Sequence, residues 1–301
     1  MKPTVSDLYT KWQLLHKPKL KPETARGQES QWNVHIIPSL GDKAVASITD
    51  DDIAYLHAKI SKTKPHMANR VGALLSSAFR MAERRPLRWR KIGTNPCRGI
   101  ERNRERPRKR HLTSGELQAI GQIIHDWEKL GGTRRTDSRY FRLLMLTGAR
   151  KNEILHVLRT WLDLTHGALR LPDSKTGAKV IALPKPAVKL IGQIMADDPE
   201  NDRLFPERYN PYTGWALMLE ATNIKDLRIH DLRHTFASVG LSMGKLRLED
   251  IGALLGHNDL ASTQRYAHLM APQQLAVSEV IGGLVEGLLS PSERAVVTAN
   301  T

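Results

Sequence analysis

A polar segment interrupted by a proline constrains the fold of this 301-residue chain most. Residues 101–111 read ERNRERPRKRH, with Pro107 near the middle and no apolar periodicity. Such a stretch adds nothing to a hydrophobic core and is typical of a linker between separately folded parts. We therefore predict a basic linker over 101–111, a first domain over 1–105 and a second over 106–301.

Length and composition are compatible with this division. A chain of 301 residues that is 40% hydrophobic can form two cores. Its single cysteine, Cys97, excludes an intramolecular disulfide and favours a reducing compartment. No apolar run has the length of a signal peptide core or a membrane span. We predict a soluble protein of the cytoplasm, with no membrane partner.

The positive charge is concentrated beside the linker. The chain carries a formal charge of +15, and residues 84–110 contain twelve basic and two acidic residues. A charge run is usually a solvated face, but in so basic a protein it favours a polyanion. Nucleic acid is preferred to a membrane, because the run lacks an amphipathic apolar face. The candidate DNA-contacting residues are Arg84, Arg85, Arg88, Arg90, Lys91, Arg108, Lys109 and Arg110.

The first domain is predicted to be helical throughout. Val5, Leu8 and Trp12 recur at helical spacing. Thr49, followed by three aspartates, is a cap signal for a helix beginning near residue 50, and a further helix is expected over 68–81. A helix beginning near residue 24 should end at Pro38 and Gly41. Four short helices with basic edges resemble a small clamp for DNA.

The second domain changes its periodicity twice. Thr113 and Glu116 form a capping box ahead of a helix, and Gly148 separates two further helices. Residues 161–184 then alternate at strand length, with tight turns at THG and DSKTG, which predicts a three-stranded antiparallel sheet. Helices return after residue 187. The predicted fold class is mainly α with a small antiparallel β-sheet: a helical first domain and an α+β second domain.

The tail over residues 272–290 forms an amphipathic helical pattern. Its apolar residues, among them Val277, Ile281, Leu284 and Leu288, recur at near-helical spacing. Such a helix can fold back on its own core in cis or dock on a neighbouring protomer in trans. The pattern does not choose between these two interpretations.

Several polar side chains together predict an anion site. A helix carrying HDLRH would place His230 and Arg233 three residues apart on one face, where both can reach one anion. His257 follows Gly256, and Tyr266 lies in STQRYAHL. Upstream, Arg150 begins a helix, where an anion is favoured, although it could be a surface charge paired with Glu153. Lys175, in the turn DSKTG, could equally be a solvated turn lysine.

These positions resemble the tyrosine recombinases, the phage integrase family, over residues 112–269. TGARKNEIL resembles the first arginine box, SKTG the hairpin lysine, HDLRHTFAS the His-x-x-Arg box, and LLGHNDLASTQRYAHL the box that ends in the nucleophile. NVHIIPSLGDKAVASITDDDI is weakly similar to the family's core-binding domain. Many integrases carry a further N-terminal module for arm-type sites, so the chain is either a simpler recombinase or a truncated one.

The resemblance implies cleavage and rejoining of DNA strands without metal, cofactor or ATP. Tyr266 would attack the scissile phosphate and leave a 3′-phosphotyrosyl link. Arg150 and Arg233 would hold the non-bridging oxygens, and His257 would donate a hydrogen bond to them. His230 is the candidate base and Lys175 the candidate acid. Glu153 and Asp231 would hold neighbouring side chains.

The expected partners, and a location in a bacterial or phage-infected cell, follow from the same resemblance. Double-stranded DNA would be held mainly through its phosphates, and four copies would assemble on it through the C-terminal helix. Accessory DNA-bending proteins are further partners of this type of reaction. The amphipathic tail is the feature that favours a multimeric recombinase.

Three other functions are compatible with parts of the sequence. A type IB topoisomerase uses much the same residues and would act as a monomer. A non-catalytic DNA-binding regulator would retain the fold and be insensitive to Tyr266→Phe. A metallohydrolase would use His230 and His234 as an i, i+4 ligand pair, but no glutamate follows His230 as HExxH requires.

Overall fold

A computed structural model describes residues 2–105, 110–173, 177–242, 248–255 and 267–289. The chain forms two compact units, residues 1–107 and 108–301. Each unit has its own hydrophobic core. No helix in the described ranges is long and apolar enough to cross a membrane.

The first unit is built from short helices around three large aromatic side chains. Trp12, Trp32 and Phe79 are fully buried. Thr4 and Thr49 form capping boxes at the starts of the first and fourth helices, so the cap predicted at Thr49 is confirmed. The helices are α1 (Val5–Leu15), α2 (Pro22–Gln31), α3 (Ile37–Leu40), α4 (Asp50–Ser61) and α5 (Pro65–Glu83).

The prediction that Pro38 helps to end the second helix is wrong. A single π turn, Trp32–Ile36, carries the chain from α2 directly into α3, which contains Pro38 and ends at Leu40. The Ile37 N–H donates to the Trp32 carbonyl in this wider turn. Pro38 then falls in the first turn of α3, where its missing N–H and fixed φ are tolerated. Gly41 alone marks the end.

The second unit packs its helices around α7. Tyr140, Phe141 and Leu143 on α7 are completely buried. The capping box at Thr113 and Glu116 is present at the start of α6. The helices are α6 (Ser114–Leu130), α7 (Gly132–Thr147), α8 (Lys151–Leu155), α9 (Lys185–Asp197), α10 (Pro211–Thr222), α11 (Asp231–Ser242), α12 (Leu248–Leu255) and α13 (Ala267–Leu289).

The predicted three-stranded antiparallel sheet is confirmed. Its strands are β1 (Leu162–Asp163), β2 (Ala168–Leu171) and β3 (Lys179–Ala182), in the order β1-β2-β3. Ile181 on β3 is 2% exposed and the preceding Val180 is 45% exposed, so β3 alternates between the core and solvent. The mainly α fold class with a small antiparallel sheet is also confirmed.

Helix α13 lies in cis on the core of its own unit. Ile281 and Val285 are buried, and the Glu286 carboxylate accepts a hydrogen bond from Arg142 Nε at 3.2 Å. A Cβ at Gly121 of α6 would lie 2.7 Å from the backbone of Leu289. The two helices therefore touch where α6 has no side chain.

Candidate active site

The site is organised by the glycine that ends α7. Gly148 is left-handed, with φ of 62°, and a Cβ there would lie 2.4 Å from Phe236 Cδ1 on α11. Only glycine satisfies both conditions. The turn places Arg150 at the start of α8, as the sequence predicts, and brings α11 close behind it.

Glu153 holds the Arg150 side chain. The Arg150 backbone N–H and its Nη1 donate to the two carboxylate oxygens of Glu153, at 2.8 Å and 2.7 Å. The pairing of Arg150 with Glu153 that the sequence allowed is present, and the Arg150 side chain is still 21% exposed. Binding of an anion by Arg150 remains a prediction.

The Arg233 side chain connects three segments of the second unit through hydrogen bonds. Its side chain is buried, and it donates to the Gly148 carbonyl at 2.8 Å and to the Leu255 carbonyl at the end of α12. Burial, and to a smaller extent the neighbouring Arg150, lower the pKa of Arg233 to about 10 against the opposing effect of Glu153. The guanidinium remains charged at neutral pH and connects the Arg150 turn with the chain that leads to His257.

His230 lies just before α11 rather than inside it, which corrects the helical placement assumed from HDLRH. The Asp231 carboxylate accepts the Arg228 N–H at 2.8 Å and thereby closes the turn that carries His230. Partial burial lowers the pKa of His230, and His234, Arg233 and Arg150 act in the same direction against Asp231. The imidazole is therefore neutral near pH 7, the form that can accept a proton.

One member of the cluster was missed by sequence reasoning. Lys179 at the start of β3 places its Nζ 3.0 Å from Glu153 Oε2, and its side chain is only 11% exposed. The alternation of β3 could have revealed it, because Ile181 faces the core and Lys179 lies two residues earlier.

The structure thus brings Arg150, Glu153, His230, Asp231 and Arg233 together around the Gly148 turn. Three other predicted residues, Lys175, His257 and Tyr266, lie outside the described residues. For these three the catalytic roles remain predictions from the motifs.

The candidate DNA-contacting residues fall into different surroundings. Arg84, Arg85, Arg88 and Lys91 are exposed. Arg90 donates to the Thr94 and Val45 carbonyls, each at 2.7 Å, so part of its guanidinium stabilises the first unit. Arg110 donates to Glu116 at 2.9 Å beside the cap of α6. Arg108 and Lys109 are outside the described ranges.

His230 and His234 contact each other as aromatic rings. Their centroids are 5.3 Å apart and the planes are nearly perpendicular, at 88°. Among the described residues, no three histidine, cysteine, aspartate or glutamate side chains converge as a metal site. The geometry is that of an edge-to-face pair.

Comparison with known proteins defines the family. Residues 110–272 match the phage integrase family, and residues 4–60 match the N-terminal SAM-like domain of phage integrases. The chain belongs to the phage integrase family, the tyrosine recombinases, and the resemblance drawn from the motifs is confirmed.

Relatives and solved structures agree with this assignment. The Escherichia coli shufflon-specific DNA recombinase is 28% identical over 76% of this chain and 58% of its own length. Tyrosine recombinase XerA of Saccharolobus solfataricus is 32% identical over 63% of this chain and 62% of its own. The chain thus spans about three fifths of the length of these curated relatives.

Two solved structures have a similar fold. The Tn1549 transposon integrase in complex with circular intermediate DNA gives a TM-score of 0.66 at 18% identity, covering 88% of this chain and 95% of that one. A lambda integrase dimer bound to a COC′ core site also gives 0.66, at 19% identity, covering 84% of this chain and 94% of that one.

Proposed function

We propose that the protein is a site-specific recombinase that cleaves and rejoins double-stranded DNA through a 3′-phosphotyrosyl intermediate. The observation that carries the proposal is the convergence of Arg150, His230 and Arg233 around the Gly148 turn. Two guanidinium groups and a neutral imidazole form a site for one phosphodiester and its attacking nucleophile. The family to which the chain belongs adds the nucleophile, Tyr266.

The residues divide the chemistry between them. The Tyr266 oxygen attacks phosphorus, the bond from phosphorus to the 5′-oxygen breaks, and a phosphotyrosine forms at the 3′ end. A free phenol has a pKa of about 10, so only about one in a thousand is ionised at pH 7. Neutral His230 accepts the phenolic proton, and Lys175 supplies a proton to the departing 5′-oxygen. Arg150, Arg233 and His257 stabilise the charge on the non-bridging oxygens.

Rejoining is the reverse of this step with a different strand. A 5′-hydroxyl attacks the phosphotyrosine, Tyr266 leaves, and the number of phosphodiester bonds is conserved. The recombination reaction therefore does not require the free energy of ATP hydrolysis. The chain's own residues supply nucleophile, acid, base and anion-stabilising groups, so the scheme includes no metal or cofactor.

The proposal extends to partners. A lambda integrase tetramer bound to a Holliday junction, with a TM-score of 0.66 at 19% identity, is a precedent for four copies on DNA. We propose that four copies of this protein also assemble on DNA in the cytoplasm. They would act either with DNA-bending proteins or without them. Contacts between copies would use the C-terminal helix and the chain that follows it. Helix α13 packs in cis through Ile281 and Val285, so a trans contact would use its outer face, where Val280 is 43% exposed, the residues after Leu289, or displacement of the helix.

The test is covalent capture on DNA of undefined sequence, because the target site is unknown. Purified protein is incubated with genomic DNA in EDTA, SDS stops the reaction, and DNA attached to protein is isolated and its 3′ ends are sequenced. We expect covalent complexes enriched at a few positions. Tyr266→Phe should abolish them, whereas Tyr55→Phe, at a tyrosine that is 75% exposed in the first unit, should not.

Three outcomes would count against the proposal. Covalent complexes that survive Tyr266→Phe would exclude this nucleophile, and their complete absence would favour a DNA-binding regulator. Complexes spread evenly over the genome, with relaxation of supercoils by a monomer, would favour the type IB topoisomerase reaction instead.

A further inference from the structure

Lys179 is a largely buried cation, with a side chain that is 11% exposed, and the proposed mechanism does not use it. It opens β3 at a core-facing position, two residues before the buried Ile181. Burying a lysine at such a position is costly unless its charge is paired. An apolar residue would satisfy the strand pattern at lower cost, so the charge itself calls for an explanation.

The explanation begins with Glu153, whose side chain is 6% exposed. One of its oxygens accepts Arg150 Nη1 at 2.7 Å. The other accepts both the Arg150 N–H, at 2.8 Å, and Lys179 Nζ, at 3.0 Å. A single buried carboxylate is thus shared between a catalytic arginine and the strand lysine.

The charge balance depends on whether Lys179 is protonated. Arg150, Arg233, a charged Lys179 and Glu153 together carry a net charge of +2, and Asp231 at the start of α11 contributes the same charge in either state of Lys179. With a neutral Lys179, Glu153 cancels one arginine and a single positive charge remains. The pentacoordinate phosphorane carries one more negative charge than the diester from which it forms, so the additional cation favours the transition state over the ground state.

We infer that Lys179 is a positioning residue of the recombination site. Its ammonium group offsets the negative charge of Glu153, so that this carboxylate orients Arg150 without cancelling the positive charge that meets the phosphate. The inference rests on the proposed function. It concerns a residue that acts through Glu153 and Arg150 rather than by touching the DNA.

The ionisation of Lys179 makes the inference testable. Burial lowers the pKa of Lys179 to about 8, Glu153 on α8 opposes this, and Arg233 on α11 and Arg150 add to it. A bound phosphate adds negative charge and favours the ammonium form. The free protein therefore carries the charge at pH 7 and loses it as pH rises through about 8.

The experiment compares variants in single-turnover formation of the Tyr266 adduct, on a DNA site captured as described above and kept below saturation. Lys179→Met should slow the reaction on the order of 10–100-fold, since partners behind a primary contact have effects of that size. Lys179→Arg should remain within about threefold of the unchanged protein at pH 7, because it keeps the charge. Lys189→Met, which removes an exposed lysine on α9, should have no effect. Thermal melting of each variant checks that it folds.

Two further readouts separate a charge effect from a packing effect. The ratio of the unchanged protein's rate to that of Lys179→Arg should fall as pH rises from 7 to 9.5, because arginine keeps its charge and lysine does not. Adding Glu153→Gln to Lys179→Met should restore part of the lost rate, since the carboxylate that Lys179 offsets is then absent. This second test remains valid if the arginine variant fails to fold.

The outcomes distinguish this inference from the function on which it rests. Absence of an adduct from the unchanged protein would overturn the proposed function. An adduct from Lys179→Met as fast as that from Lys189→Met would overturn the inference alone. So would a pH-independent rate ratio together with no rescue by Glu153→Gln.

Discussion

Gly148 has no side chain, and its conformation positions the functional side chains around it. Its left-handed φ of 62° reverses the chain after α7, and its bare Cα lets Phe236 of α11 approach. Its carbonyl then accepts a hydrogen bond from Arg233 at 2.8 Å. The two arginines of the site therefore both depend on this turn.

We expect Gly148→Ala to be strongly destabilising. The left-handed conformation costs an alanine roughly 1–2 kcal/mol, and overlap with Phe236 adds about 1–3 kcal/mol. Urea denaturation should show a loss of about 2–5 kcal/mol in the free energy of unfolding. Gly192→Ala on α9, where a Cβ meets nothing within 4 Å, should be neutral or stabilising. Similar losses from both variants would contradict this account of the turn.

At this scale the sequence indicated which residue types suit a phosphate, but not how each side chain is buried or paired. Arg150, His230 and Arg233 could be identified because their residue types and spacing suit a phosphate. Lys179 was missed because a lysine near a turn suggests solvent, and only the strand register shows that it faces the core. Its partner Glu153 was predicted to hold a neighbour, and the structure places Arg150 and Lys179 as the groups that it contacts.

Among the elements, α6 begins with a capping box that is also part of an ion pair. Thr113 and Glu116 form the capping box, and Glu116 also accepts from Arg110. The Arg110 guanidinium is the main reason that the pKa of Glu116 falls to about 2, with the Thr113 N–H adding to the effect and burial opposing it. A carboxylate with a lowered pKa stabilises the fold above its unfolded value and ceases to do so as pH falls through its folded value.

Glu116→Gln should therefore destabilise the second unit at pH 7 by about 1 kcal/mol, a figure reduced for screening because the pair is partly exposed. The difference from the unchanged protein should shrink as pH is lowered from about 4.5 to 2, where the carboxylate becomes protonated in both states. Chemical denaturation across this pH range measures it. Glu220→Gln, at an exposed site on α10, is the control and should show little change. A difference that is constant with pH would show that the charge of Glu116 is not responsible.

Helix α13 depends on close approach to α6. A Cβ at Gly121 would lie 2.7 Å from both the Cα and the carbonyl oxygen of Leu289. Gly121→Ala should therefore push the end of α13 away, lower stability by about 1–3 kcal/mol, and expose the C-terminal helix to protease. Gly115→Ala on the same helix, with nothing within 4 Å, should do neither. Equal protease sensitivity of the two variants would exclude the predicted close contact.

The elements show where sequence patterns stop being informative. Period and capping signals located α4, α6 and the three strands, because those features are local. They did not anticipate the π turn that carries α2 through to Pro38, since its wider hydrogen bond depends on the packing around Trp32. The apolar stripe of the tail also did not show whether the C-terminal helix packs on its own unit or on a neighbouring protomer. Such a stripe indicates that one helix face is buried, but it does not identify the surface against which that face packs.

On the scale of the whole molecule, the uneven charge makes a prediction about DNA affinity. Arg84, Arg85, Arg88 and Lys91 are exposed in the first unit. Each contact between such a residue and a phosphate releases counterions and adds about 0.9 to the slope of log affinity against log salt. Replacing Arg84 and Arg85 by alanine should lower this slope by up to about 2, equally for all DNA sequences.

Fluorescence titrations at several salt concentrations measure the slope. Lys19 and Arg26, two other exposed basic residues of the same unit, provide a control with the same change in net charge. If that pair lowers the slope as much as the Arg84 and Arg85 pair, net charge and not the concentrated basic run determines the binding.

The account as a whole depends on Arg150, His230 and Arg233 acting on a single phosphate that Tyr266 attacks. The most direct measurement is mass spectrometry of the covalent complex after nuclease and protease digestion. We expect one modified peptide, with a nucleotide attached through its 3′-phosphate to Tyr266, and a decrease on the order of 100-fold or more in adduct for Arg233→Ala. A nucleotide on any other residue, or attachment through a 5′-phosphate, would contradict the account.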